Sequence, residues 1–129
     1  MTVITEKPWG TEQVWASTPY YKAKFLTIEP GHKLSRKYHL TRSHTICVLE
    51  GTMVLESGPN YEGDSIKSIE LKEGDVRHLH ANDVHRFCAG DAGVRLVEVS
   101  NGGNDDYIRV EDDYDRITNL PQWNTHSSK

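Results

Sequence analysis

Cysteine is scarce in this chain: its 129 residues hold only Cys47 and Cys88. Two lone thiols exclude the disulfide framework that staples many small secreted domains. The start, Met1-Thr2-Val3-Ile4-Thr5-Glu6-Lys7, lacks a basic stretch followed by an apolar block, so no secretory signal is read there. Reduced thiols in the cytoplasm are the expectation. No apolar run approaches the roughly 20 residues of a bilayer span, so no membrane partner is expected. Positive charge is not in excess either: 15 Lys and Arg stand against 19 Asp and Glu, a formal charge of -4. Nucleic-acid binding needs a basic face, so no nucleic-acid partner is expected. No segment carries a helical stripe over three or more turns.

What the chain does have is punctuation. Glycines and prolines recur at short intervals, and the segments between them alternate apolar and polar residues. Lys24-Phe25-Leu26-Thr27-Ile28, Thr45-Ile46-Cys47-Val48-Leu49, Thr52-Met53-Val54-Leu55, Ser68-Ile69-Glu70-Leu71 and Val94-Arg95-Leu96-Val97-Glu98-Val99 read as strands. Many short strands between turn signals predict an all-β sandwich or barrel. The length suits one domain with a real core. Residues 1–118 are read as the barrel and 119–129 as a polar tail that frays unless Trp123 docks on a neighbour. A short helix is expected near Glu111 to Ile117.

Seven histidines stand out, and strand geometry gives their spacing meaning. Lys37 and His39 are two apart and share a strand face. A tight turn at Leu40 to Ser43 lets His44 open the next strand, which Gly51 is expected to end. A second strand-turn-strand unit runs from Gly74 to His85. Lys37, His39, His44 and His85 thus converge inside one barrel. Imidazole suits zinc, nickel, iron and copper, and three imidazoles plus water suit a site with an open position. His39, His44 and His85 are the expected ligands of a divalent transition metal (zinc, nickel, iron or manganese).

At these residues the chain resembles the cupin family, whose fold is a double-stranded β-helix or jelly-roll barrel. Gly31, His39, Gly51, Gly74 and His85 fall in register with its two motifs, while Lys37 stands at the first histidine position and His44 at the glutamate position. The likeness is closest to the cupin domain of type II mannose-6-phosphate isomerases, often fused to a mannose-1-phosphate guanylyltransferase. Three further stretches carry it: Lys7-Pro8-Trp9-Gly10, Pro30-Gly31-His32-Lys33-Leu34-Ser35, and Asp105 to Arg116. In that subfamily the first ligand position is often Gln. The resemblance implies a homodimer and a metal-dependent isomerase acting on an anionic sugar phosphate. Lys37 or Glu98 would then be base or polarising group, and Arg42, which matches an arginine of the motif, the phosphate contact. Lys37 and His44 both make the cavity more positive, which suits an anion. Two other functions fit the same residues: a non-catalytic sugar or nucleotide-sugar binding module, and a three-histidine iron oxygenase.

The remaining residues of these types read more plainly. His78 and His80 share a face that can point inward, with an exposed loop the simpler reading for His80. His32 and Tyr38 are expected to face outward. Cys47 and Cys88 fall out of parity with His44 and His85 and are packing residues. Arg86, Arg95 and Arg109 could also supply anion contacts, though Arg109 and Arg116 are as readily paired with the acidic run Asp105 to Asp115, itself a solvated face.

Overall fold

Alternating burial shows why these segments become strands. In the segment that opens at His44, residues 44, 46 and 48 are buried while 45 and 47 are only partly covered. Leu26 and Ile28 are buried on either side of an exposed Thr27. Apolar side chains two apart share one face of an extended chain, and only a core-facing wall satisfies that pattern.

The computed structural model describes residues 2–59, 66–102, 106–111 and 114. Among these lie nine strands: β1 (Val3–Lys7), β2 (Gly10–Ser17), β3 (Tyr21–Ile28), β4 (Arg36–His39), β5 (His44–Gly58), β6 (Lys67–Leu71), β7 (Val76–Leu79), β8 (Val84–Asn101) and β9 (Tyr107–Glu111). Their order is β1-β2-β3-β8-β4-β9, with β5 pairing β6, β7 and β8. The pairings are antiparallel.

The β5–β8 ribbon dominates the fold. It pairs from His44↔Ser100 at one end to Gly58↔Val84 at the other, with two interruptions. Laid straight, β5 from His44 to Ser57 would span roughly 43 Å. Yet His85, the partner of Ser57, has its ring centroid 6.0 Å from that of His44. The ribbon therefore coils until its two ends meet, which is the double-stranded β-helix expected from the sequence. Register shifts between Val48 and Glu50 and between Gly51 and Met53 mark the bend, as bulges raise local twist. Gly51 sits there at φ +81°, and a Cβ on it would lie 2.1 Å from the Gly93 carbonyl oxygen. Gly51 was expected to end a strand. It is instead the hinge of a longer one, because a bulge lets the ladder resume at Met53.

Leu26, Ile28, Ile46, Val48, Met53, Leu55, Leu71, Phe87 and Leu96 fill the interior, each 2% exposed or less. Burial of each such side chain is worth about 1.5–3 kcal/mol. The Pro8-Trp9 turn joins β1 to β2, and Trp9 enters this core while its carbonyl accepts the Glu29 N–H at 2.9 Å. Tyr38, expected to face outward, does leave the barrel interior but not for solvent: it is buried in a second cluster with Val84 and Ile108. Strand β9 supplies that cover. The helix expected near Glu111 to Ile117 lies almost wholly outside the described residues, and Glu111 itself ends β9. The tail and Trp123 also lie outside them. Among the described residues no helix is long and apolar enough to cross a membrane.

Candidate functional site

Two short strands build one wall of the site. On β4, Lys37 and His39 share a face, and across the ladder they pair with Arg109 and Tyr107 of β9. Directly paired residues project to the same side. All four line a single cavity. Lys7 and Trp9 of the N-terminal hairpin reach the same cavity, as do Glu12 of β2, Lys24 of β3 and Glu98 of β8. Lys24 is there because it alternates with Leu26 and Ile28 on the inward face of β3.

Three imidazoles gather beside that wall. His39, His44 and His85 are all buried. Their ring centroids are 4.1 Å apart for His39 and His44, 5.4 Å for His39 and His85, and 6.0 Å for His44 and His85. They come from three strands, and only the coiled ribbon brings the outer two within reach. His85 Nδ1 lies 3.3 Å from the Asp83 carbonyl oxygen. A carbonyl only accepts, so Nδ1 carries the proton and Nε2 keeps its lone pair. Among the described residues that Nε2 is buried with no hydrogen-bond partner, and so are both ring nitrogens of His44. Burial, followed by the charges of His39 and Lys37, holds the His85 pKa down to about 3 against the pull of Glu98. His85 is therefore neutral at ordinary pH.

Glu98 supplies the negative charge of the site. Its carboxylate lies 3.1 Å from His44 Nδ1 and 3.7 Å from Lys24 Nζ. That approach puts the His44 ring in direct contact with the carboxylate. Burial alone would raise the Glu98 pKa, but His44, Lys24 and Lys37 outweigh it and hold the carboxyl well below the usual carboxylate range. Lys24 also reaches Glu12 at 3.4 Å. Among the described residues no three His, Cys, Asp or Glu side chains form a ready ligand set for one ion. The donor chemistry nonetheless fits a transition metal: a neutral His85, whose buried Nε2 keeps its lone pair, stands beside the rings of His39 and His44.

Residues 2–118 match the family described as mannose-6-phosphate isomerase C-terminal. The chain belongs to that family. It is 28% identical over 114 residues to the alginate biosynthesis protein AlgA of Pseudomonas aeruginosa, covering 85% of this chain and 22% of that protein. Similarity to the xanthan biosynthesis protein XanB of Xanthomonas campestris is 29% over 114 residues, covering 85% and 23%. A mannose-1-phosphate guanylyltransferase of Escherichia coli is 28% identical over 117 residues, covering 85% and 23%. The chain thus spans under a quarter of the length of these relatives. Among solved structures, the capsular polysaccharide assembling protein CapF of Staphylococcus aureus superposes with a TM-score of 0.76 at 16% identity, over 86% of this chain and 34% of that one. KdgF of Halomonas sp. gives 0.68 at 17%, over 80% and 88%. At these identities the structural likeness shows the fold, a double-stranded β-helix.

In this member of the mannose-6-phosphate isomerase C-terminal family, the structure brings Lys37, His39, His44, His85 and Glu98 together. Arg42 lies elsewhere. It is buried at 2% exposure in the turn between β4 and β5 and does not line the cavity. That turn is pinned by Ser43, whose N–H donates to Asn101 Oδ1 at 2.7 Å and whose hydroxyl accepts the Ala81 N–H at 3.2 Å. His78 and His80 are exposed rather than inward, because Leu79 takes the core-facing position between them. His78 instead pairs with Thr45 Oγ1 at 2.8 Å on the outer face. His32 is half-buried and stacked on Tyr114 at 6.4 Å. Lys7, Glu12, Lys24 and Tyr107 went unread as cavity residues. Parity with Leu26 would have found Lys24, whereas Tyr107 is placed only by its pairing with a distant strand.

Proposed function

We propose that this chain is an aldose–ketose isomerase domain for a sugar phosphate such as mannose 6-phosphate, moving a proton between C1 and C2. The observation that carries this reading is one cavity faced by a carboxylate, an imidazole and an ammonium: Glu98, His39 and Lys37. Abstraction of a proton next to a carbonyl needs a base on the carbon and a positive group on the oxygen. Glu98, held ionised, is the acceptor in this cavity. Lys37 donates a hydrogen bond to the oxygen that gains charge. A divalent transition metal held by His39, His44 and His85 would, when bound, polarise the substrate oxygens. Trp9 offers an apolar surface to the sugar ring, and Lys7, Lys24 and Arg109 keep the cavity cationic for an anionic substrate. The names of the relatives, a mannose-1-phosphate guanylyltransferase among them, support a mannose phosphate as the substrate class.

Edge strand β1 presents Val3 and Ile4, 52% and 64% exposed. Such an edge supports pairing with a second copy in a homodimer.

A coupled assay that reports fructose 6-phosphate formation tests the reading. Turnover with at least one common divalent metal, lost in Glu98→Gln, is the expected result. No turnover with any of them, on protein shown to be folded, would overturn it. Binding of mannose 6-phosphate without turnover would point to a binding module, and oxygen uptake on iron loading to an oxygenase.

A further inference from the structure

We propose that the turn Ala81-Asn82-Asp83 is the positioning element of the histidine cluster, each of its three residues holding one imidazole in place. The placement of the rings stands apart from the isomerase reading. The metal they would hold rests on reading the triad as a ligand set.

The turn joins β7 to β8, and its three successive residues reach three different histidines. The Asn82 N–H donates to the His39 carbonyl oxygen at 2.7 Å. The Ala81 N–H donates to Ser43 Oγ at 3.2 Å, on the residue that precedes His44. The Asp83 carbonyl oxygen lies 3.3 Å from His85 Nδ1 and accepts its N–H. The first contact extends the pairing of β4 with β8, which otherwise rests on Lys37↔His85. The second ties down the point where β5 opens. The third sets the tautomer of His85.

The turn is itself held closed. The Asp83 N–H donates to the His80 carbonyl at 3.1 Å, and Asp83 Oδ2 accepts the His80 N–H at 3.3 Å. Asn82 stands at φ +72°, and among the described residues it is the only one other than glycine with a positive φ. Asparagine is one of the few side chains that tolerate this region. Asn82 is otherwise exposed, so the conformation serves the backbone N–H aimed at His39 and not the packing of a side chain. Uncommon backbone conformations persist where the surrounding bonds over-determine them, and they cluster at functional sites. A cluster of donor groups needs such support to keep its rings within a fraction of an ångström of one geometry.

Asn82→Val and Asn82→Gly test this, because both keep the N–H. Valine, branched at Cβ, opposes φ +72°, whereas glycine adopts it freely. Nitrogen-15 NMR of the chelator-treated full chain reads the ring tautomers. His85 is expected to carry its proton on Nδ1 in the wild type, to shift toward the Nε2–H form in Asn82→Val, and to return to the wild-type pattern in Asn82→Gly. Cobalt(II), titrated into the same proteins, is the second probe. Its binding is expected to weaken about 10–100-fold in Asn82→Val, the scale for groups that orient ligands. Gly31→Ala introduces a similar strain at φ +74° in an open turn that does not line the cavity, and is expected to move neither readout. An unchanged His85 tautomer in Asn82→Val would overturn the proposal, as would unchanged affinity where the wild type binds cobalt. Should Asn82→Val fail to fold, Asn82→Ala decides by the same two readouts. A wild type that binds no cobalt removes the metal reading and leaves the tautomers to decide. Absence of sugar-phosphate turnover removes the isomerase and touches neither readout.

Discussion

Replacing Gly51 by alanine tests the coil that builds the site. At φ +81° an L-residue incurs about 1–2 kcal/mol of backbone strain. The new Cβ would also lie 2.1 Å from the Gly93 carbonyl oxygen, an approach no packing tolerates. Strands β5 and β8 must then separate at the bend, a cost of about 1–3 kcal/mol by analogy with overpacked cores. The total is about 2–5 kcal/mol, a large share of the roughly 5–15 kcal/mol that stabilises an ordinary domain. Gly31→Ala is the control. Gly31 has a similar φ of +74°, but a Cβ there meets nothing within 4 Å. It should lose only the backbone term, about 1–2 kcal/mol. Urea unfolding of both variants, followed by tryptophan fluorescence, measures the difference. Equal losses would refute the claim that close strand approach at Gly51 holds the ribbon in its coil.

Other outcomes follow from the buried charges. Glu98→Gln removes the anion beside His44 and Lys24 and should cost about 2–4 kcal/mol, somewhat below a full buried-pair loss because Glu12 also serves Lys24; denaturant midpoints of the single and double variants with Lys24→Met report it. Acid should destabilise the metal-free protein. Folded His85 refuses the proton that the unfolded chain accepts near pH 6.5, so stability falls from that pH toward pH 3 by about 1.4 kcal/mol per unit. Glu98, whose pKa is lowered by folding, adds loss of the same sign once the pH drops through the ordinary carboxylate range. A stability profile no flatter in His85→Gln than in the wild type would contradict this account. Elemental analysis of protein purified without chelator should find metal that His39→Ala lacks; equal content in both would place the ion elsewhere.

The strand faces were legible because period-two patterning is local. Lys37 with His39, and Glu98 with Leu96, could be assigned to inner faces from parity alone. The histidine triad was legible because each member carries its own chemistry. The strand ends were not. Gly51 looks like a stop in sequence, and only the cross-strand register reveals a bulge. Nor could parity show that Lys37 faces Arg109, since the pairing of β4 with β9 is decided by the whole barrel. Arg42 was favoured from a motif, yet its turn is fixed by Ser43, Asn101 and Ala81, contacts between parts of the chain far apart. The hairpin carrying Lys7 and Trp9 went unread as strands because its edge strand β1 is exposed along most of its length and shows no buried period.

The β5–β8 ribbon also sets an order of assembly. Gly58 and Val84 are its closest pair in sequence, and His44 and Ser100 its most distant. Closing the shorter loop first costs less chain entropy, so the ribbon is expected to zip from the His85 end toward the His44 end. The histidines then meet only when the last rungs form. A folding chain would carry no assembled histidine cluster until it is nearly native, so half-made barrels would present these rings one at a time.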